Sequence, residues 1–218
     1  MPVITVHGAK GGQGTTTVAA VLAILHAHAG HRTLLIDTAG DLPATLATNN
    51  TEPIGLADYL NTTRNVAIEQ HVTRINDNLD LLPRGDGPIT FDTYTYGLLT
   101  GGLDYYDTVI IDTATHAPEW DRNADHDILV TRPCYLALRR AVTQPRPTGL
   151  VVITEPGRAL NPTDIEAALG IPITATIPAD PDIARSIDAG LLNTRLPRTL
   201  TRALRPLLTP TIATDVVR

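Results

Sequence analysis

The segment GAKGGQGTTT, residues Gly8–Thr17, places four glycines within ten residues. It follows the apolar run VITVH at 3–7 and opens a stretch of helical character at Thr15–Ala29. A glycine-rich turn between a buried strand and a helix presents backbone N–H groups at the positive end of the helix, where an anion can bind. The glycines let the backbone fold closely around phosphate oxygens. The segment therefore predicts a phosphate-binding loop.

The sequence on either side of this loop alternates between apolar runs and helical segments. The apolar runs are branched-aliphatic and lack in/out alternation, which is typical of strands buried on both faces of a parallel sheet. The predicted strands are 3–7, 32–37, 79–83, 107–112, 127–131, 150–154 and 171–178, and the predicted helices are 15–29, 90–99, 135–142, 162–169, 181–189 and 197–208. We therefore expect an α/β fold, a three-layer α/β/α sandwich with a mostly parallel central sheet.

Length and composition narrow the class of protein. The 218 residues, 43% hydrophobic and 18% charged, suit one globular domain spanning 1–218. No apolar run approaches the length of a membrane span, and the N-terminus lacks signal-peptide character, so we expect a cytoplasmic protein without membrane attachment. Cys134 is the only cysteine, which excludes an intramolecular disulfide. The polar segment Asn49–Thr63 is the best candidate for a mobile surface loop.

The residues of the loop alone leave three interpretations open. A P-loop would place the Thr16 hydroxyl on Mg²⁺. A dinucleotide-binding turn needs three spaced glycines, of which Gly12 and Gly14 supply two, with Asp37 as the acidic residue after the second strand. A glycine-rich turn without a ligand is the third possibility.

Four segments together resemble the ParA/MinD superfamily of partition and positioning ATPases. KGGQGTTT at 10–17 resembles its deviant Walker A loop, K-G-G-x-G-K-T-T. LLIDTAGDLPATL at 34–46, YDTVIIDTA at 106–114 and IPADPDIARSIDAGL at 177–191 resemble its second-strand, Walker B and late strand–turn–helix motifs, in the same order. The resemblance covers nearly the whole chain. It implies a P-loop NTPase fold, binding of ATP and Mg²⁺, and a homodimer that encloses nucleotide.

The resemblance also implies roles for individual residues. Lys10 matches a signature lysine that reaches the partner's phosphates, and it is the only lysine in the chain. Expected nucleotide contacts are Lys10, Gly11, Gly12, Gln13, Gly14, Thr15, Thr16, Thr17, Pro178 and Asp180, the last two in a turn against adenine. Expected metal ligands are Thr16, Asp37 and Asp112. The catalytic candidates are Lys10, Asp37 and Asp41.

Two departures from the family pattern bear on catalysis. Thr15 occupies the P-loop lysine position, and its hydroxyl cannot neutralise phosphate charge in the transition state. Ala39 occupies the position of a second carboxylate that orients the attacking water, for which Asp41 is the candidate substitute. We therefore expect weak or absent ATP hydrolysis but retained nucleotide binding. Lys10 could also bend back to the phosphates of its own chain.

Arginines near the end of the chain form a separate candidate surface. Residues 132–218 carry 11 basic and 7 acidic residues, against 6 and 16 in residues 1–131. Arg195, Arg198, Arg202 and Arg205 recur at intervals of three and four, which aligns them along one helix face. Such a stripe either grips DNA phosphates without reading bases or is simply solvated.

Two functional hypotheses follow from the resemblance. The first is a ParA-like protein that serves DNA partition through ATP-dependent dimerisation, nonspecific DNA binding at the nucleoid and a DNA-bound ParB-like adaptor. The second is a non-hydrolysing adaptor or scaffold that positions a secretion, pilus or division assembly, which the residues Thr15 and Ala39 favour.

Overall fold

The computed structural model describes residues 1–48, 54–62, 67–115 and 117–208. The strands are β1 (Val3–Gly8), β2 (Thr33–Asp37), β3 (Thr73–Asn76), β4 (Leu79–Leu82), β5 (Thr108–Ala114), β6 (His126–Thr131), β7 (Gly149–Thr154) and β8 (Ala175–Pro178). The α-helices are α1 (Thr15–His28), α2 (Leu42–Thr45), α3 (Leu56–Asn61), α4 (Thr93–Thr100), α5 (Pro118–Asn123), α6 (Tyr135–Ala141), α7 (Pro162–Leu169), α8 (Pro181–Asp188) and α9 (Arg198–Leu204).

The described strands form one sheet in the order β3-β4-β2-β5-β1-β6-β7-β8. All neighbouring pairs are parallel except β3 and β4, which are antiparallel. Apolar side chains from both faces of the sheet meet helices, with α1 and α9 on one face and α4, α5, α6 and α7 on the other. The predicted sandwich with a mostly parallel central sheet is therefore confirmed.

Helix α1 is central to the packing because it is apolar on nearly every side. Eleven of its 14 residues are buried. It packs against the sheet on one side and against α9 on the other, so it has no wide solvent-exposed face. Burial of each Leu or Ile side chain contributes about 1.5–3 kcal/mol, which makes α1 a firm support for the loop that precedes it.

Some predicted boundaries differ from those observed. The strand predicted at 171–178 is confined to β8, and α4 begins three residues later than predicted. The last helix begins at Arg198 and continues as a 3₁₀ turn over Arg205–Leu208. Residues 49–53 and 63 of the predicted surface loop Asn49–Thr63 lie outside the described part of the chain. Helix α3 occupies most of the described residues 54–62.

The short elements α2, α3, α5 and β3 were not predicted. The three helices have four to six residues, too few for a helical period to be recognised. Strand β3 is half-exposed and lacks an apolar run. Among the described residues, no helix is both long enough and apolar enough to cross a membrane.

Candidate functional site

The glycine-rich loop lies at the carboxyl edge of the sheet, between the end of β1 and the start of α1. Gly12 and Gly14 have left-handed backbone conformations, with φ of 78° and 91°. A Cβ at Gly14 would lie 2.6 Å from Ile153 Cδ1 on β7, so a larger residue has no space there. The loop thus depends on glycine both for its backbone path and for its contact with a neighbouring strand.

Two residues of the loop point inwards and hold it in place. The buried Gln13 side chain accepts a hydrogen bond from the Arg132 backbone N–H, at 2.9 Å, which ties the loop to the end of β6. Thr15 is also buried, and its Oγ1 lies 2.8 Å from the position that a Cβ on Gly8 would occupy. The side chain at position 15 therefore packs into the base of the loop.

Two aspartates lie side by side at the same edge of the sheet. Asp37 ends β2 and is paired in register with Asp112 on β5, and both side chains are fully buried. Asp37 accepts three backbone hydrogen bonds, from Ala39 at 2.9 Å, Gly40 at 2.7 Å and Leu42 at 3.0 Å. Burial nevertheless raises the pKa of Asp37 above its ordinary value, because these bonds oppose the desolvation only in part.

Asp112 is the less well satisfied of the two carboxylates. Its Oδ1 accepts the Ala114 N–H at 3.0 Å, whereas its buried Oδ2 has no hydrogen-bond partner of regular geometry among the described residues. Burial raises the pKa of Asp112 to about 6, and the nearby Thr16 hydroxyl and the Ala114 N–H oppose that rise. A buried carboxylate oxygen without a partner, next to a hydroxyl, has the donor chemistry of a Mg²⁺ site.

Asp41 lies near this pair, although its own side chain is exposed. Its negative charge contributes to the raised pKa values of both Asp37 and Asp112. The structure therefore brings together the predicted residues Thr16, Asp37, Asp41 and Asp112 at one edge of the sheet.

A cavity of ≈ 380 Å³ extends from the loop towards α8. Gly14, Thr17 and Arg132 line it at the loop, and Ala179, Asp180 and Pro181 line it at the turn before α8. Aliphatic side chains line the rest, among them Val18, Ile153, Ile177, Ile183, Ile187 and Leu200. The size and apolar lining suit a flat ring such as a nucleobase.

The two residues predicted in the late turn differ in position. Pro178 ends β8, is exposed and is not part of the cavity lining. Asp180 lines the cavity, but its carboxylate is also engaged locally. It accepts the Asp182 N–H at 2.9 Å as the N-cap of α8 and the Thr199 hydroxyl at 2.8 Å.

Lys10 is half-buried. Hydrogen bonding by the Ala137 N–H, and then the positive charges of Lys10 and Arg158, lower the pKa of the Cys134 thiol at the start of α6. The positive charge of Lys10 therefore acts on Cys134 of its own chain.

A buried polar cluster beneath the loop was not predicted from the sequence. His7 Nε2 lies 3.0 Å from Asp127 Oδ1, which also accepts the Thr5 hydroxyl at 3.2 Å. Asp121 on α5 accepts the Thr113 hydroxyl at 3.1 Å and lies in the same cluster. These contacts join β1, β5, β6 and α5 directly below the loop. The sequence feature that could have predicted this cluster is the presence of polar residues, such as His7 and Asp127, within otherwise apolar strands.

The four C-terminal arginines are all exposed. Arg195 and Arg198 line a cleft of ≈ 770 Å³ together with Arg185. Arg202 lies on α9, and Arg205 begins the 3₁₀ turn that follows. All four side chains are thus accessible to an external partner.

Comparison with known proteins gives a family match over most of the chain. The family model described as the CobQ/CobB/MinD/ParA nucleotide binding domain matches residues 4–193. An uncharacterised protein of Methanocaldococcus jannaschii is 36% identical over 90 residues, which are 38% of this chain. The chain covers only 35% of the length of that relative.

Solved structures agree on the fold. A ParA family ATPase from Chlorobium tepidum matches with a TM-score of 0.77 and 24% identity, over 95% of this chain and 98% of its own. MinD of Pyrococcus horikoshii with Mg-ADP matches with a TM-score of 0.75 and 20% identity, over 95% and 94%. A Borrelia burgdorferi protein with a proposed role in plasmid partition, bound to AMPPNP, matches with a TM-score of 0.70 and 21% identity, over 94% and 96%.

Proposed function

The chain belongs to the CobQ/CobB/MinD/ParA nucleotide-binding domain family, and we propose that it is a ParA-like protein of DNA partition. In this proposal, residues 1–218 form one nucleotide-binding domain that binds ATP with Mg²⁺ and dimerises around it. The dimer then binds DNA nonspecifically and meets a ParB-like, DNA-bound adaptor. Hydrolysis is weak or absent.

The observation that carries the proposal is the pair of buried aspartates beside the loop. Two carboxylates with raised pKa values are costly in a folded protein unless a cation is bound there. Thr16, Asp112 and Asp37 are the residues that would hold Mg²⁺. Bound there, the ion would neutralise part of the phosphate charge. The Asp112 Oδ2 atom, which lacks a regular hydrogen bond, is available for this purpose.

The loop residues would hold the phosphates by their backbone. The N–H groups around Gly11, Gly12 and Gly14 lie at the start of α1, where the helix dipole favours an anion. Thr17 at the loop end of the cavity and Asp180 at the far end would bracket the base and ribose. These contacts suffice for binding, because they need no side-chain charge at position 15.

ATP hydrolysis requires a positive charge on the phosphates and a carboxylate that orients water, and positions 15 and 39 supply neither. Thr15 offers no positive charge, and its hydroxyl is directed into the base of the loop. Ala39 has no carboxylate to orient water. Asp41 is the candidate substitute because its charge acts on both buried aspartates, and Lys10 is the remaining cation of the loop. We therefore expect turnover far below that of a complete P-loop site.

Support for a role in DNA partition comes from structural similarity to other proteins and from the basic surface, not from the nucleotide site. A ParA family ATPase and a protein with a proposed role in plasmid partition share the fold. The exposed arginines Arg195, Arg198, Arg202 and Arg205 supply a basic surface that fits nonspecific DNA binding.

Nucleotide binding is the first quantity to test. We expect isothermal titration calorimetry with ATP to give a measurable heat in the presence of Mg²⁺. Asp112→Ala should weaken the Mg²⁺-dependent part of that binding, whereas Asp104→Ala, at an exposed position, should not. Absence of any heat at millimolar ATP and Mg²⁺ would refute the proposal.

The second candidate function is a non-hydrolysing adaptor or scaffold, which the residues Thr15 and Ala39 favour. Steady-state phosphate release in the presence of DNA and nucleotide separates the two functions. Turnover that Asp112→Ala abolishes would exclude the scaffold. Nucleotide binding without turnover and without affinity for DNA would favour it.

A further inference from the structure

The proposed nucleotide site has one positive charge fewer than a P-loop with a lysine at position 15 would have. Position 15 carries a threonine, and Lys10 is the only lysine of the chain. A nucleoside triphosphate brings several negative charges to a loop beside two carboxylates, Asp37 and Asp112. A second cation near the loop would offset this repulsion.

Arg132 lies beside the loop and lines the cavity. Strand β6 runs parallel to β1, and Val130 on β6 pairs with Gly8, the first residue of the loop. Arg132 follows Val130 by two residues along the chain. Its backbone N–H donates to Gln13 Oε1 at 2.9 Å. Arg132 also lines the cavity next to Gly14 and Thr17. The backbone of this arginine is therefore fixed against the loop itself.

The side chain of Arg132 keeps hydrogen-bonding capacity. Its Nη1 donates to Glu155 Oε1 at 2.8 Å, whereas its buried Nε has no hydrogen-bond partner among the described residues. Glu155 is shared, because Arg158 also binds it through its Nε. Two guanidinium groups face one carboxylate, which leaves this group of three with a net positive charge.

We propose that Arg132 binds the phosphates of the nucleotide and supplies the positive charge that a P-loop lysine at position 15 would provide. The inference rests on the proposed nucleotide binding. Glu155 holds the guanidinium in place at the mouth of the cavity. Because a guanidinium carries five N–H donors, Arg132 can bind a phosphate and keep its bond to Glu155.

The first experiment compares variants that differ only in which arginine of the group is removed. Arg132→Met removes the charge and retains most of the bulk, and Arg158→Met is the matched control, since Arg158 shares Glu155 but does not line the cavity. In fluorescence titrations with mant-ADP and Mg²⁺, we expect Arg132→Met to weaken binding about 10- to 100-fold. Arg158→Met should change it less than about threefold. Arg132→Lys should recover part of the affinity.

The second experiment identifies the part of the nucleotide that Arg132 binds. Inorganic tripolyphosphate should compete with mant-ADP for the wild-type protein and compete far less well for Arg132→Met. In a Thr15→Lys background, the effect of Arg132→Met should become smaller, because the new ammonium group takes over the same charge. Thermal unfolding of each variant verifies that it is folded.

The outcomes separate this inference from the proposed function. If the wild type binds no mant-ADP, both fail. If the wild type binds and Arg132→Met binds equally well, only the role of Arg132 is refuted. The role is also refuted if Arg132→Met weakens the binding of adenosine and of ADP to the same extent, because the arginine would then act on the base or ribose.

Discussion

Asp112 shows what a carboxylate buried at the candidate site costs in folding stability. Its pKa is raised from 3.8 to about 6 by burial, so the folded protein holds that proton more tightly than the unfolded chain does. Ionisation of Asp112 therefore lowers the stability as the pH rises from 3.8 through about 6. Without nucleotide or Mg²⁺, the ionised carboxylate at neutral pH is a strain that the fold tolerates.

Asp112→Asn removes this strain. At pH 7.5, without Mg²⁺, we expect the free energy of unfolding in urea to increase by about 2–3 kcal/mol. The gain should nearly vanish at pH 4, where the wild-type carboxyl is protonated. Asp104→Asn, at an exposed position whose charge does not act on Asp112, is the control and should change the stability little. An Asp112→Asn variant that is equally or less stable at pH 7.5 would contradict the raised pKa.

Gly14 gives a second prediction at the scale of single residues. Gly14→Ala places a Cβ 2.6 Å from Ile153 Cδ1 in a left-handed backbone conformation. We expect the free energy of unfolding to fall by about 1–3 kcal/mol and nucleotide binding to be abolished. Gly11→Ala is the matched control, because its Cβ would have no neighbour within 4 Å. Equal effects of the two substitutions would show that the loss does not come from the left-handed conformation of Gly14 or from its approach to Ile153.

The sequence was a good guide to those site residues that sit at strand ends. Asp37 and Asp112 were both expected as metal ligands from the family resemblance. The structure pairs them in register, because parallel strands place their carboxyl ends at one edge of the sheet. Arg132 was not predicted, since the cavity joins segments distant in sequence. Pro178 was predicted to contact the nucleotide; it is exposed at the end of β8 and is not among the residues that line the cavity.

At the scale of elements, the pair His7–Asp127 links β1 to β6 beneath the loop. Burial lowers the pKa of His7, but the hydrogen bond and charge of Asp127, with the charge of Asp121, outweigh it, and the net effect is a raised pKa. The pair therefore adds stability that is fully present below 6.5 and is lost as the pH rises through the higher pKa of the folded state.

Asp127→Asn tests this link. We expect the variant to be destabilised at both pH 5.5 and pH 9, with the larger decrease in unfolding free energy at pH 5.5, where the imidazolium of His7 loses its charged partner. Urea unfolding at the two pH values measures the difference. Asp104→Asn, at an exposed position, serves as the control for a change of net charge. A decrease that is independent of pH would mean that the carboxylate acts only as a hydrogen-bond acceptor.

Long apolar elements were predicted more reliably than short or amphipathic ones. The strands β1, β2 and β5 are buried throughout nearly their whole length, so their sequence pattern is unambiguous. Strand β8 lies at the sheet edge and alternates between buried and exposed residues, and the preceding residues 171–174 do not extend it. The antiparallel β3 was missed because its pairing depends on β4 rather than on a pattern of its own.

At the scale of the whole molecule, charge is distributed unevenly. The chain has a net charge of −6, yet the exposed arginines Arg195, Arg198, Arg202 and Arg205 gather near its C-terminal helix. An acidic protein binds DNA only through such a local surface, since the remainder repels phosphates.

The double variant Arg198→Gln/Arg202→Gln should weaken binding to random-sequence duplex DNA. We expect the slope of log K against log salt to fall by roughly 0.9 for each phosphate that the protein no longer neutralises. Arg74→Gln/Arg122→Gln is the matched control, because it removes the same charge from exposed positions elsewhere. Fluorescence anisotropy over a range of about 50 to 200 mM salt would measure both. Equal slopes for the two variants would assign DNA binding to another surface.

The loop between β1 and α1 is held from two sides, by the Gln13 bond to the end of β6 and by the contact of Gly14 with Ile153 on β7. Its conformational entropy is thus given up when the chain folds and not when a ligand arrives. A polyanion that binds this loop would therefore lose less of its binding free energy to ordering the backbone than one that binds an unrestrained loop.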